Sequence, residues 1–93
     1  MARILIAEDE PRISSFVSKG LSSNGYAVSV VEDGLTAYDY ACTGEFDLMI
    51  LDIGLPGLDG IEVCRQLRVF SDAYVVMLTA RGGIADRTGR AVR

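Results

Sequence analysis

Ninety-three residues with 49% hydrophobic side chains and a mean hydropathy of +0.28 make one globular domain at most. Such a chain is too apolar to stay disordered and small enough to bury only about 60 to 65% of its unfolded surface. The net charge of −4 is unevenly spread: residues 1–80 carry twelve acids against five bases, which argues against nucleic-acid binding, while residues 81–93 carry four arginines and one acid, read as a solvated basic tail.

In chain order, Met1–Arg3 lead into an apolar run that meets Glu8 and Asp9 before it reaches the length of a signal-peptide core, so a cytoplasmic protein is expected. That run, residues 3–7 (RILIA), predicts a first strand. Ile13, Phe16, Val17 and Leu21 then recur at helical spacing, with Asp9 or Glu10 placed to cap, Pro11 suited to the first turn and Gly25 as a stop. Residues 27–31 (AVSVV) predict the second strand. A second helix is expected from Leu35 to Thr43, entered through Asp33 and Gly34 and closed by Gly44, with Ala37, Tyr40 and Ala41 turned inward. Residues 47–51 (DLMIL) and 74–78 (YVVML) predict strands three and four, their continuous apolar runs marking strands covered on both faces. Between them, Asp59 opens a third helix with Glu62 reaching back to it, and Ile61, Cys64 and Leu67 share one side.

None of the three longest apolar runs, Ile4–Ala7, Leu48–Leu51 and Val75–Leu78, approaches the roughly 20 residues of a membrane span, and no membrane association is expected. Cys42 and Cys64 have neither CxxC spacing nor a histidine in the chain to pair with, and read as buried structural thiols. After Ala80 the pattern changes to RGGIADRTGRAVR, which has no helical or strand period. The expected division is a folded unit over residues 1–80 and a poorly ordered tail over residues 81–93, with at most a ragged turn of helix between Ile84 and Val92.

Strict alternation of strand and helix predicts an α/β fold, a parallel sheet with helices on both faces. Asp9 ends the first strand, Asp52 the third, and Thr79 follows the fourth, so all three are expected at the carboxyl edge, where such sheets bind ligands. Taken singly, the acids at residues 8–10 read as a helix N-terminus and Asp52 as a turn residue. Taken together, Glu8, Asp9 and Asp52 repel one another unless a hard divalent cation lies between them, and Mg2+ suits a site of one or two carboxylates, waters and phosphate oxygens. An ionised Asp52 is then a nucleophile toward phosphorus that needs no general base, and the Thr79 hydroxyl is placed to hydrogen-bond the attached phosphate.

The segments Ile4–Glu10 (ILIAEDE), Leu48–Gly60 (LMILDIGLPGLDG) and Val76–Ala80 (VMLTA) together resemble the receiver domain of bacterial two-component response regulators, in wording closest to the winged-helix transcription regulators. The resemblance implies a flavodoxin-like (CheY-like) fold with strand order 2-1-3-4-5. It implies Asp52 as phosphoacceptor, Asp9 as a direct Mg2+ ligand with Glu8 beside it, Gly54 as a backbone-carbonyl ligand, Thr79 as the hydroxyl that senses phosphate and Ala80 as the small residue next to it. A sensor histidine kinase is the implied partner.

The family also continues into a fifth strand, further helices and a phosphate-pairing lysine, whereas the one lysine here is Lys19, on the first predicted helix. The expectation is therefore an incomplete receiver of four strands, with Arg81 a poor substitute for that lysine and no DNA binding by this chain. An open fourth-strand edge is expected, and with it homo-oligomer formation through that edge. Two other functions compete with the phosphoacceptor. One is an association or dimerisation module that has lost switching. The other is an aspartate-nucleophile phosphatase, disfavoured because Gly54 stands where that class carries a second acid.

Overall fold

The computed structural model describes residues 1–78 in full and residues 84–86 and 90–92 by their backbone. Four parallel strands, β1 (Arg3–Ala7), β2 (Ala27–Val31), β3 (Leu48–Asp52) and β4 (Tyr74–Leu78), lie in the order β2-β1-β3-β4. Ala7 stands opposite both Val31 and Leu51, and Asp52 opposite Leu78. The third strand runs one residue later than its sequence suggested. Asp47 lies just before it, its carboxylate accepting the Arg3 backbone N–H at 2.8 Å and its own N–H donating to the Arg3 carbonyl at 2.8 Å, and Asp52 is the last strand residue.

Three helices connect the strands: α1 (Pro11–Ser23), α2 (Gly34–Ala41) and α3 (Gly60–Leu67). Each start follows from a capping carboxylate. Glu10 accepts from the Arg12 N–H at 3.4 Å, Asp33 from the Thr36 N–H at 2.7 Å, and Asp59 from the Glu62 N–H at 2.9 Å, each satisfying a donor the helix cannot use. The reciprocal bond expected from Glu62 does not form, because its carboxylate is engaged by Arg65 and by the Gln66 amide at 2.8 Å. Gly25 and Gly44 close the first two helical segments in left-handed conformations, as expected of glycine stops.

The helices divide between the two faces of the sheet. Leu5, Ala7, Met49, Leu51, Val75 and Met77 point toward α2 and α3, where they pack with Ala37, Ala41, Val63, Cys64 and Leu67. Ile4, Ile6 and Ile50 point the other way, toward Val17 and Leu21 of α1. Period-two alternation along each strand produces this split, and the continuous apolar runs supply both faces at once.

Some side chains expected in the core lie outside it. On α1, Phe16 is 80% exposed and Ile13 is also exposed, since one helix covers that face and only its Val17–Leu21 side meets the sheet. Tyr40 is exposed and stacks on Phe46. Ile61 faces solvent while Val63 takes the inward place, and Cys42 is exposed while Cys64 is buried.

The fourth-strand edge is not open. Residues Ile84–Asp86 form β5, antiparallel to β4 with Met77 opposite Ala85, and Arg90–Val92 form β6, antiparallel to β5. These short strands replace the turn of helix expected there. Their backbone pairs with Val76–Leu78 of β4, which weakens the argument for association through that edge.

Candidate metal and phosphoacceptor site

The register of β1 against β3 brings the acids together. Ala7 pairs with Leu51, so the next residues along the two parallel strands, Glu8 and Asp52, stand at the same level at the carboxyl edge. Glu8 stays close to the ladder, donating its N–H to the Val31 carbonyl at 3.0 Å, and its side chain turns inward to only 4% exposure. Asp9, one residue on, is exposed, and Asp52 is half-buried. One carboxylate oxygen from each of the three lies within 4.8 Å of the others. The turn into α1 is fixed by Glu8 itself, whose Oε2 accepts the Glu10 N–H at 3.0 Å.

Beyond Asp52 the chain leaves the sheet through a tied loop. The Ile53 N–H extends the ladder to the Leu78 carbonyl at 3.1 Å, and the Ile53 carbonyl accepts the Gly60 N–H at 3.1 Å. Gly54, the expected carbonyl ligand, is exposed at the start of this loop, and its N–H makes a long contact of 3.4 Å with Asp52 Oδ1. Thr79, Ala80 and Arg81 lie outside the described residues.

Among the described residues no counter-charge pairs with the three converging carboxylates: the ion pairs there are Arg3–Glu45, Arg12–Glu10 and Arg65–Glu62, none of which reaches the cluster. Burial raises the Glu8 carboxyl above its ordinary value of 4.5, with the Asp52 charge and contacts to Asp9 and Asp52 adding to the effect and the Glu10 N–H opposing it. An all-oxygen, negatively charged donor set with one member desolvated fits a hard divalent cation such as Mg2+.

A sign follows for stability. The folded-state value of Glu8 is raised above its unfolded one, so protonated Glu8 favours folding below 4.5, and that contribution is lost as pH rises through the raised value. In chelator-treated protein, Glu8→Gln is therefore expected to melt higher than the parent at neutral pH and level with it below pH 4.5, as measured by thermal unfolding across pH. Added Mg2+ should narrow the neutral-pH gap by stabilising the parent more than the variant.

Two glycines shape the site through close backbone approaches. Gly34 and Gly60 sit where a Cβ has no room: at Gly34 the Leu58 backbone occupies the space, its Cα 2.9 Å from that point, and at Gly60 the Asp52 carbonyl group and Met77 Cε do, at 3.0 Å. The sequence marks Gly34 as a helix entry and Gly60 as part of a motif, but neither close approach is legible without the crossing backbone.

A sequence model of the family described as response regulator receiver domain matches residues 4–91. The transcriptional activator protein IrlR of Burkholderia pseudomallei is 47% identical over 85 residues, covering 91% of this chain and 37% of that protein. The transcriptional regulatory protein TcrA of Mycobacterium tuberculosis is 43% identical over 88 residues, covering 91% and 34%. The chain thus spans about a third of the length of these curated relatives. Among solved structures, the response regulator protein TrrA of Thermotoga maritima in complex with Mg(2+)-BeF superposes with a TM-score of 0.80 at 40% identity, over 86% of this chain and 70% of that one. The same regulator in complex with histidine kinase ThkA superposes with a TM-score of 0.79.

Proposed function

Because this chain belongs to the response regulator receiver family, a group of signalling modules, we propose that it accepts a phosphoryl group from a sensor histidine kinase onto Asp52, with Mg2+ held by Asp9, Asp52 and the Gly54 carbonyl and with Glu8 beside them. The observation that carries this reading is the convergence of Glu8, Asp9 and Asp52 within 4.8 Å at the carboxyl edge of the sheet. The Mg(2+)-BeF and histidine kinase complexes of TrrA support it by likeness. A cytoplasmic location goes with it.

When bound, Mg2+ neutralises charge on the phosphoryl oxygens. The chain's own residues do the rest. The Asp52 carboxylate attacks phosphorus in line: a carboxylate O–P bond forms as the donor's P–N bond breaks, and the electron pair leaves with the imidazole nitrogen, which takes a proton. Asp9 and Glu8 set the electrostatics in which that attack occurs. The Gly54 N–H lies near Asp52 Oδ1 and helps hold the carboxylate's orientation. Thr79, next after Leu78, is proposed to hydrogen-bond the attached phosphate.

Incubation with acetyl phosphate and Mg2+, followed by intact-mass measurement, is expected to give a gain of one phosphoryl group. No gain, or a gain that chelation of Mg2+ leaves unchanged, defeats the proposal.

A further inference from the structure

The loop after Asp52 is anchored by a helix from elsewhere in the chain. The N–H of Gly34, the buried first residue of α2, donates to the Pro56 carbonyl at 3.0 Å. The Leu58 carbonyl fills the space a side chain on residue 34 would occupy. These two anchor points flank Gly57, whose φ of +78° makes the turn between them. The first turn of α2 is itself fixed by Asp33, whose carboxylate accepts from the Thr36 N–H at 2.7 Å and hydroxyl at 2.9 Å. On the other side, Ile53 is held to Leu78 and Gly60. Gly54 lies between these supports with nothing within 4 Å of its Cβ position. Apart from the long contact of its N–H with Asp52 Oδ1, no hydrogen bond among the described residues holds Gly54, so the direction of its carbonyl follows largely from the anchors.

We propose that Gly34 is a positioning residue for the divalent-cation site: by seating Pro56 and Leu58 against α2, it sets where the Gly54 carbonyl points. The inference rests on the phosphoacceptor reading, in which that carbonyl is a ligand. Bulk at residue 34 must lift the loop, because the obstructing atoms are backbone and cannot rotate aside. Groups hydrogen-bonded directly to a metal ligand are typically worth about 10- to 100-fold in metal affinity, and a support one step further back is expected at the low end of that range.

The test uses the full chain and Mg2+ alone, titrated by isothermal calorimetry. Gly34→Ala is expected to weaken Mg2+ about tenfold or more, while Leu21→Ala, which loosens α1 on the opposite face, changes it by less than about twofold. Phosphoryl gain from acetyl phosphate in Gly34→Ala should be slowed at limiting Mg2+ and recover at saturating Mg2+, a split that general loss of stability does not produce. Parental Mg2+ affinity in Gly34→Ala, or an equal loss in Leu21→Ala, overturns the proposal. If Gly34→Ala does not fold, Asp33→Ala decides: it frees the same helix turn without adding bulk, and a Mg2+ loss beyond that of Leu21→Ala supports the proposal whereas parental affinity overturns it. A parent chain that binds no Mg2+ and gains no phosphoryl group ends the phosphoacceptor reading and this inference together. A parent that does both, beside unaffected variants at residues 33 and 34, ends this inference alone.

Discussion

Asp52→Asn is expected to abolish the phosphoryl gain completely, with intact mass unchanged after prolonged incubation in acetyl phosphate and Mg2+. The amide keeps the size and shape of the carboxylate but has no anionic oxygen to attack phosphorus, so the loss is of chemistry and not of fold. The variant should in fact melt no lower than the parent in the absence of metal. The Asp52 charge contributes to raising the Glu8 carboxyl, and removing it relieves like-charge repulsion around a side chain that is 4% exposed. Activity lost with stability kept or gained is the joint outcome, read by mass and by thermal unfolding. A phosphoryl group that still arrives on the Asp52→Asn variant places the acceptor elsewhere.

Gly60→Ala is expected to be among the most destabilising single-methyl changes in the domain. Helix propensity alone favours alanine over glycine by up to about 1 kcal/mol inside a helix. Against this, the new Cβ meets the carbonyl of Asp52, with its carbon at 3.0 Å, and Met77 Cε, also at 3.0 Å. The methionine end can shift, but the strand backbone cannot, and overpacking of this kind costs typically about 1 to 3 kcal/mol. The clash wins, and the net loss of about 1 kcal/mol corresponds to a fall in Tm of about 4 to 8 °C for a domain of this size. Differential scanning calorimetry checks the value. A Tm at or above the parent's means that propensity dominates and that β3 and α3 are less tightly seated than the close approach implies.

Much of the fold was legible because its signals are local. The caps at Asp33 and Asp59, the stops at Gly25 and Gly44 and the two-faced apolar strands each depend on a few neighbouring residues, and each appears where the pattern placed it. The convergence of Glu8, Asp9 and Asp52 was legible for a related reason: parallel strands of equal length bring their carboxyl ends to one edge. What escaped was long-range or competitive. The Asp47 carboxylate, just before β3, takes the N–H of Arg3, forty-four residues away. Glu62 chose Arg65 and Gln66 over its own helix start. Helical spacing put Phe16 and Ile61 on apolar stripes, but only the neighbouring sheet decides how wide a stripe is covered. The antiparallel pairing of β5 on β4 had no periodic signature, since three residues are too few to show one.

The unequal fate of the two cysteines gives the molecule its own clock. Cys42, at the end of α2, meets solvent, whereas Cys64 lies on α3 packed among Val63, Leu67 and Met77, one helix turn beyond the residue that touches Asp52. A thiol reagent should label Cys42 at once and Cys64 only when α3 lifts from the sheet, so the slow phase of labelling times the local opening of the helix packed against Asp52. Comparing that phase with and without Mg2+ would show whether filling the acidic cluster slows the breathing of the wall behind it.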